Sequence, residues 1–164
     1  MKEIVIQHFF EGYVSAIELA ADAAGAFDRH VDTAGTVFSR LNAVSMNHEF
    51  GVAPTHVVKL IDGVLAGELS LDALDAICFC LEASDSFTWD TDTPEGERVA
   101  DSLFWLGSPE INYKLTTAVL GKIREFLLSG QDTLTSEDVV KRRGSRPHLL
   151  NVNERNRNRM SNDR

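Results

Sequence analysis

The spacing of hydrophobic residues along the chain predicts a mainly helical protein. From Thr55 to Leu65 and from Ser70 to Ala83, apolar residues recur every three or four positions, as in helices that bury one face. Thr55 and Ser70 suit N-caps, and Gly67 suits a stop between the two helices, so the pair predicts a helical hairpin. The predicted buried stripe of the second helix is Leu71, Leu74, Ile77, Cys78 and Leu81.

Two further helices are predicted in the second half of the chain. The Thr-Pro sequence at 93–94 suits the N-cap and first position of a helix, which the Gly-Ser-Pro sequence at 107–109 ends. The next helix begins at Thr116 or Thr117 and ends before Gly130. Apolar residues at helical spacing within both segments predict that each helix buries one face.

The N-terminal third also favours helices. The sequence Glu-Ile-Val-Ile at 3–6 suits either a short strand or the start of a helix. An alanine-rich run from Glu11 to Arg29 predicts a helix that ends near Gly25 or His30, and 34–46 predicts another. The faces expected to be buried are Tyr13, Ile17 and Ala20 or Ala21 in the first, and Val37, Phe38, Leu41 and Val44 in the second.

The predicted organisation is one folded domain followed by a tail. A length of 164 residues suits a single domain, and 43% hydrophobic residues suffice for a core. Thr135 with Asp138 predicts a last short helix over 136–143, whereas the Asn/Arg-rich composition of 144–164 predicts a disordered basic tail. Residues 1–143 are therefore predicted to form an acidic, mainly α, single-domain bundle of six or seven short helices, with at most a short N-terminal strand.

Charge divides the chain into an acidic body and a basic end. Residues 1–140 contain 8 Lys/Arg and 23 Asp/Glu, and residues 141–164 contain 8 Lys/Arg and 2 Asp/Glu. An acidic body repels nucleic-acid phosphates and attracts basic proteins, so we expect a protein partner rather than a nucleic acid. With no signal-peptide layout, no apolar run of ~18 residues and only two cysteines, we expect a cytoplasmic protein that does not bind membranes.

Residue patterns that carry catalysis or hold metals are missing from the sequence. Cys78 and Cys80 are too close together for a zinc half-site, and Cys78 at least is expected in the core. His48 and Glu49 begin a zinc-protease motif, but Val52 stands where the second histidine belongs. No phosphate-binding loop, nucleophile elbow or dinucleotide fingerprint is present. The sequence therefore predicts no enzyme activity, no metal and no cofactor.

An acidic stretch around Trp89 is the candidate functional site. It suits a calcium site, a general acid/base pair, or a recognition patch for a cationic protein with Phe87 and Trp89 as anchors. A further interpretation is that both aromatic residues belong to the core and the acids only solvate a loop. The predicted partner-binding residues are Asp85, Phe87, Trp89, Asp90, Asp92, Glu95, Glu97 and Asp101.

The stretch 84–116 resembles a group of bacterial proteins. It contains Ser-Asp-Ser-Phe-Thr-Trp at 84–89, Thr-Pro-Glu-Gly-Glu at 93–97, and Ser-Pro-Glu-Ile-Asn-Tyr-Lys-Leu-Thr at 108–116. These motifs resemble small, acidic, helical immunity proteins of contact-dependent growth inhibition and related polymorphic toxin systems. The resemblance implies a cytoplasmic protein that binds and neutralises a cognate toxin domain. Such toxin domains are often nucleases, whose surfaces are basic, but the resemblance implies no particular contact residues.

Two other functions stay open at the level of sequence. One is a small metal-dependent enzyme that uses the carboxylates of 85–97, and the other is an adaptor domain whose tail binds RNA. For the immunity-type protein we expect a monomer or a weak homodimer.

Overall fold

The computed structural model describes residues 1–31, 33, 37–109 and 111–140, and within them the fold is mainly α, as predicted. The helices are α1 (Glu3–Glu11), α2 (Ala16–Ala23), α3 (Pro54–Leu65), α4 (Leu71–Ala83), α5 (Pro94–Gly107) and α6 (Thr117–Ser129). The strands are β1 (Phe27–Val31), β2 (Val37–Leu41), β3 (Phe50–Gly51) and β4 (Phe87–Thr88).

The core lies among the four longer helices. Helix α4 packs mainly against α5, and α3 packs against both α5 and α6. Because the side chains between these helices are almost entirely apolar, their burial is the main source of stability. Those with at most 1% of their surface exposed include Leu60, Ile61, Leu74, Ile77, Leu81, Leu103, Leu106, Ile123 and Leu127.

Three of the predicted helix starts are confirmed by their hydrogen bonds. The side chains of Ser70, Thr93 and Thr116 each accept a hydrogen bond from the backbone N–H three residues later, at 3.1–3.2 Å. Gly130 follows α6 with a φ of +76°, which closes the helix as predicted. These ends were predictable because cap and partner lie close together in sequence.

Two details of the helical pair at 55–83 differ from the prediction. Helix α3 begins at Pro54, with Ala53 rather than Thr55 as N-cap, because the His56 ring supplies the capping acceptor through Nδ1. Leu71 is 43% exposed, whereas the other four residues of the predicted stripe are fully buried. Leu69, just before the helix, is buried instead and packs on Gly63.

The helix predicted in the run from Glu11 to Arg29 is confirmed only in part, as α2, which ends near Gly25 as expected but begins at Ala16. Gly12 ends α1 with a φ of +88°, and Ser15 begins α2 with a capping box to Glu18. Tyr13 lies between the two helices and Ile17 in the first turn of α2, and they are 78% and 65% exposed. The buried face consists of Ala16, Leu19 and Ala23 instead. Residues 3–6 adopt the helical alternative, as the start of α1.

The helix predicted over 34–46 is wrong, because its described part contains a strand. Strand β2 pairs with β1 in antiparallel register, with Phe27 opposite Leu41 and Val31 opposite Val37. The Phe27 ring packs on Phe79 of α4, with ring centroids 4.8 Å apart. Such contacts between segments distant in sequence outweigh the preference for a helix that the local apolar spacing indicates. Two residues of the predicted buried face, Phe38 and Val44, are 55% and 65% exposed.

The segment 84–93 is extended in its middle, one of the two forms predicted for it. Strand β4 pairs with β3 in parallel register, with Phe50 opposite Phe87 and Gly51 opposite Thr88. This short pair of strands holds the segment that precedes α5 in place.

The last predicted helix, 136–143, does not form over its described residues. Thr135 and Asp138 do make the expected capping contacts, through the Thr135 N–H and hydroxyl to the Asp138 carboxylate. They close only a turn, because Val139 pairs with Tyr113 and the Val140 N–H donates to the Asn112 carbonyl. Residues 141–143 and the predicted tail 144–164 lie outside the described residues.

Candidate partner-binding surface

The eight predicted site residues occupy different environments. Asp85 lies in the bend after α4 and borders a cavity of 380 Å³ that Glu3 and Met46 also line. Phe87 is only 4% exposed, and its ring meets that of Phe50 edge to face. Its side chain is therefore part of the core and not open to a partner. Trp89 is half-buried against the core.

The loop before α5 is held by its own polar groups. The Asp90 carboxylate accepts a hydrogen bond from the Asp92 N–H, and the Asp90 carbonyl accepts one from the Thr93 hydroxyl at 2.7 Å. Gly96 lies directly against this loop, since a Cβ there would stand 1.9 Å from the Asp90 carbonyl oxygen. The carboxylates of Asp90 and Asp92 are both exposed.

A cation interrupts the acidic stretch on α5. The Arg98 guanidinium pairs with Glu95 at 3.2 Å, and its Nε donates to the Leu127 carbonyl, also at 3.2 Å. Only 17% of the Arg98 side chain is exposed. Glu95 is thus partly neutralised within the protein, whereas Glu97 and Asp101 extend along the exposed side of the helix.

Glu97 and Asp101 join a set of acidic groups that comes from three parts of the chain. Burial raises the pKa of Asp101, and the charges of Glu97 and Asp132 raise it further. The pKa of Tyr113 is raised by burial and then by Asp132, Asp138 and Asp101. We refer to Glu97, Asp101, Asp132 and Tyr113 as the acidic face.

The charges of the acidic face are not neutralised locally. Within the described residues, no lysine or arginine forms an ion pair with Glu97, Asp101 or Asp132. Asp138 differs, because it pairs with Lys122 at 2.7 Å, and this bond with those from Thr135 lowers its pKa. The acidic face therefore carries mutual repulsion that a cationic ligand would relieve.

Aromatic rings border the acidic face. The Trp105 ring meets the Tyr113 ring edge to face, with ring centroids 5.6 Å apart. It also packs against the Phe126 ring, with centroids 5.1 Å apart. Phe104 is 46% exposed on the same helix. Carboxylates beside aromatic rings suit the side chains of arginine and lysine, which bind both chemical groups.

Asp132 and Tyr113 were missed by the sequence prediction. Both belong to segments outside 85–101, and they come near Asp101 only because α6 and the chain after it fold back toward α5. No local motif marks them. An acidic residue just beyond a predicted helix end was the only sequence signal available for Asp132.

The cysteines and the possible metal ligands give no second site. Cys78 and Cys80 are fully buried free thiols, as expected for core residues. Burial raises the pKa of Cys78 far above its ordinary value and that of Cys80 to about 12. Among the residues that the structure describes, no three His, Cys, Asp or Glu side chains could hold a metal ion together.

Comparison of the chain with protein-family models, with curated proteins and with solved structures finds no match. In the described part of the chain, no helix has the length and apolar character needed to cross a membrane. The acidic face, the distribution of charge and the sequence motifs are therefore the basis on which a function can be assigned.

Proposed function

We propose that this protein is an immunity protein that binds and neutralises a basic, nuclease-type toxin domain through its acidic face. The observation that carries the proposal is the convergence of Glu97, Asp101 and Asp132, none of which forms an ion pair within the described residues. A basic partner surface would supply the missing positive charge and lower the free energy of the ionised carboxylates.

Two further observations support the same proposal. The stretch 84–116, which resembles immunity proteins, includes Glu97, Asp101 and Tyr113 of the acidic face. The excess of 23 Asp/Glu over 8 Lys/Arg in residues 1–140 extends the negative potential beyond the face itself. The proposal places the protein in the cytoplasm, where free thiols such as those of Cys78 and Cys80 stay reduced.

The first test is to capture the partner from the source cell and to measure the rate of association with it. We expect a basic toxin domain to co-purify and to associate about tenfold faster at low salt than at high salt, because salt screens attraction between opposite charges. Recovery of the protein alone, or of RNA alone, would contradict the proposal.

Matched variants then test whether the acidic face makes the contact. Glu97→Gln, Asp101→Asn and Asp132→Asn together remove three charges from the face. Glu49→Gln, Glu68→Gln and Glu125→Gln remove the same charge from other exposed positions. We expect the first triple variant to slow association about tenfold and the second to have a much smaller effect. Equal effects would show that net charge alone, and not this face, attracts the partner.

A third variant tests the contact residues that the sequence predicted on the loop. Asp85→Lys, Asp90→Lys and Asp92→Lys leave the acidic face intact. If this variant associates at the rate of the natural protein, the loop acids are not contacts and the interface is confined to the α5 side.

A further inference from the structure

A cavity between the start of α1 and the end of α4 contains a carboxylate that is almost completely buried. The volume of the cavity is 380 Å³, within the range of about 300–1,000 Å³ that is usual for small-molecule sites. Glu3, with 2% of its surface exposed, lines this cavity together with the more exposed Asp85. The wall combines apolar side chains, including Leu41 and Met46, with three serines at positions 45, 84 and 86.

The Glu3 carboxylate has a described partner for only one of its two oxygens. Its Oε2 atom accepts a hydrogen bond from the Met46 N–H at 2.9 Å. Among the described residues, Oε1 accepts no hydrogen bond, and no lysine or arginine forms an ion pair with Glu3 or Asp85. The helix dipole at the start of α1 offsets part of the cost of a buried negative charge. Glu3 therefore still offers an unused acceptor to a ligand in the cavity.

Hydrogen bonds hold the three segments of the wall together. The Glu3 N–H donates to the Val44 carbonyl at 3.0 Å, and the Phe50 N–H donates to the Ser86 carbonyl at 2.8 Å. The Ser86 hydroxyl donates to the Met46 carbonyl at 3.4 Å, so its oxygen offers only lone pairs to a ligand. The cavity therefore favours a ligand that donates hydrogen bonds.

These features fit an alkyl chain that ends in a primary ammonium. The ammonium combines a positive charge with several N–H donors, and the side chains of Leu41 and Met46 suit a hydrocarbon chain. A guanidinium pairs best with both oxygens of one carboxylate, but Oε2 of Glu3 is already bonded to Met46. A metal ion fits less well, because in the described part of the chain no three His, Cys, Asp or Glu side chains could hold one together.

We propose that this cavity binds a primary ammonium group on an unbranched alkyl chain, with Glu3 as its counter-ion and Asp85 as a second, more exposed carboxylate. The ammonium donates hydrogen bonds to Glu3 Oε1 and to the Ser86 hydroxyl, and the alkyl chain packs on the apolar part of the wall. None of these residues belongs to the acidic face, so this inference does not depend on the toxin partner.

Amide chemical shifts of the full chain test the proposal with butylammonium, which reproduces the four-carbon stem and the ammonium of lysine. The matched probe is butyltrimethylammonium, which has the same charge and chain but no N–H donors. We expect butylammonium to shift the amides of Met46 and of 84–86 and to bind about tenfold more tightly than the matched probe, because only butylammonium donates charge-assisted hydrogen bonds. Equal affinities, or no shift at these amides, would overturn the proposal.

Variants of the two carboxylates test their separate roles. Glu3→Gln keeps an acceptor for the Met46 N–H but removes the charge, so it should weaken the binding of butylammonium about tenfold. Asp85→Asn should weaken it about two- to threefold, because an exposed charge is screened. The control Glu125→Gln, at an exposed position of α6, should bind as the natural protein does. Equal affinity in Glu3→Gln would overturn the proposal, and the comparison of the two probes decides even if this variant does not fold.

Two further ligands test the metal alternative and the source of the amine. Calcium that binds at these amides more tightly than butylammonium would overturn the assignment to an organic cation. A capped Gly-Gly-Lys-Gly-Gly peptide that binds as tightly as butylammonium would support the site and assign it to a lysine side chain of a partner protein. Binding of butylammonium without binding of the peptide would support the site and assign it to a free amine.

Discussion

Ser102 is a residue whose chemistry does not match its surroundings. It lies in α5 with none of its surface exposed, and its hydroxyl oxygen has no hydrogen-bond partner among the described residues. A buried polar group without a partner reduces stability because it has lost its hydrogen bonds to water. Ser70 is the opposite case, since its hydroxyl caps α4.

The same substitution at these two serines is therefore expected to have opposite effects. Ser102→Ala should raise the free energy of unfolding by about 1 kcal/mol, because it removes an unsatisfied buried hydroxyl. Ser70→Ala should lower it by about 1 kcal/mol, because it removes a helix cap. Urea denaturation of both variants and of the natural protein measures the two changes. A loss of stability in Ser102→Ala would show that its hydroxyl has a favourable partner.

At the scale of elements, Gly96 joins the loop 90–93 to the first turn of α5. No side chain fits there, because its Cβ would overlap the Asp90 carbonyl. Gly121 of α6 is a matched contrast: it is a helical glycine with open space around its Cβ position. Alanine at position 96 therefore tests the steric cost of a side chain, whereas alanine at position 121 tests the gain in helix propensity.

We expect Gly96→Ala to destabilise the protein by about 2 kcal/mol or more, because the loop or the helix must move. Gly121→Ala should stabilise it by about 0.5–1 kcal/mol, because alanine loses less backbone entropy in a helix. Thermal and urea denaturation measure both effects. If Gly96→Ala were as stable as Gly121→Ala, the loop would not be packed on α5 as described.

The start of α3 depends on a neutral histidine. The His56 Nδ1 atom accepts a hydrogen bond from the Ala53 N–H at 3.1 Å. The His56 ring stacks on the Phe10 ring, with centroids 4.8 Å apart, and its centroid lies 5.3 Å from that of Phe50. Burial lowers its pKa below the ordinary value of 6.5, Lys59 lowers it further, and Glu11 opposes the shift. Protonation would remove the acceptor and place a positive charge at a helix N-terminus.

The stability of the protein should therefore depend on pH through His56. Because the folded state favours the neutral ring, its contribution is complete above pH 6.5 and is lost as the pH falls through the lowered pKa. His56→Asn keeps an acceptor but has no such titration. We expect the natural protein to lose unfolding free energy relative to this variant as the pH is lowered to about 5. A difference that is constant with pH would contradict this role.

At the scale of the whole molecule, the separation of charge is the dominant feature. The body is strongly acidic, and the basic residues are concentrated in the last 24 positions. The proposed function uses this separation, because an acidic face attracts a foreign basic surface.

Binding of a basic toxin domain should release protons near the raised pKa of Asp101. A cationic partner stabilises the ionised carboxylate and lowers its pKa in the complex. Affinity should therefore fall as the pH is lowered through the pKa of Asp101 in the free protein. Titration calorimetry in two buffers of different ionisation enthalpy measures the protons released. With Asp101→Asn the release should decrease, and an unchanged release would place the titrating group elsewhere.

Helices whose signals are local could be predicted from the amino-acid sequence. The caps at Ser70, Thr93 and Thr116 were predictable because each oxygen bonds an N–H only three residues away. The apolar spacing of α3 to α6 likewise reports which face is buried, apart from the end residues Leu65 and Leu71. The acidic character of the body also follows from composition alone.

The β1–β2 pair and the membership of the acidic face depend instead on contacts between distant parts of the chain. The pair forms because backbone groups of two segments satisfy each other and Phe27 packs on Phe79, which local spacing does not encode. Phe87 entered the core through pairing with Phe50, while Asp132 came beside Asp101 through the return of the chain after α6. In each case the interaction joins residues that are far apart in sequence. Only folding brings them close enough to contact each other, so local sequence patterns do not reveal the contact.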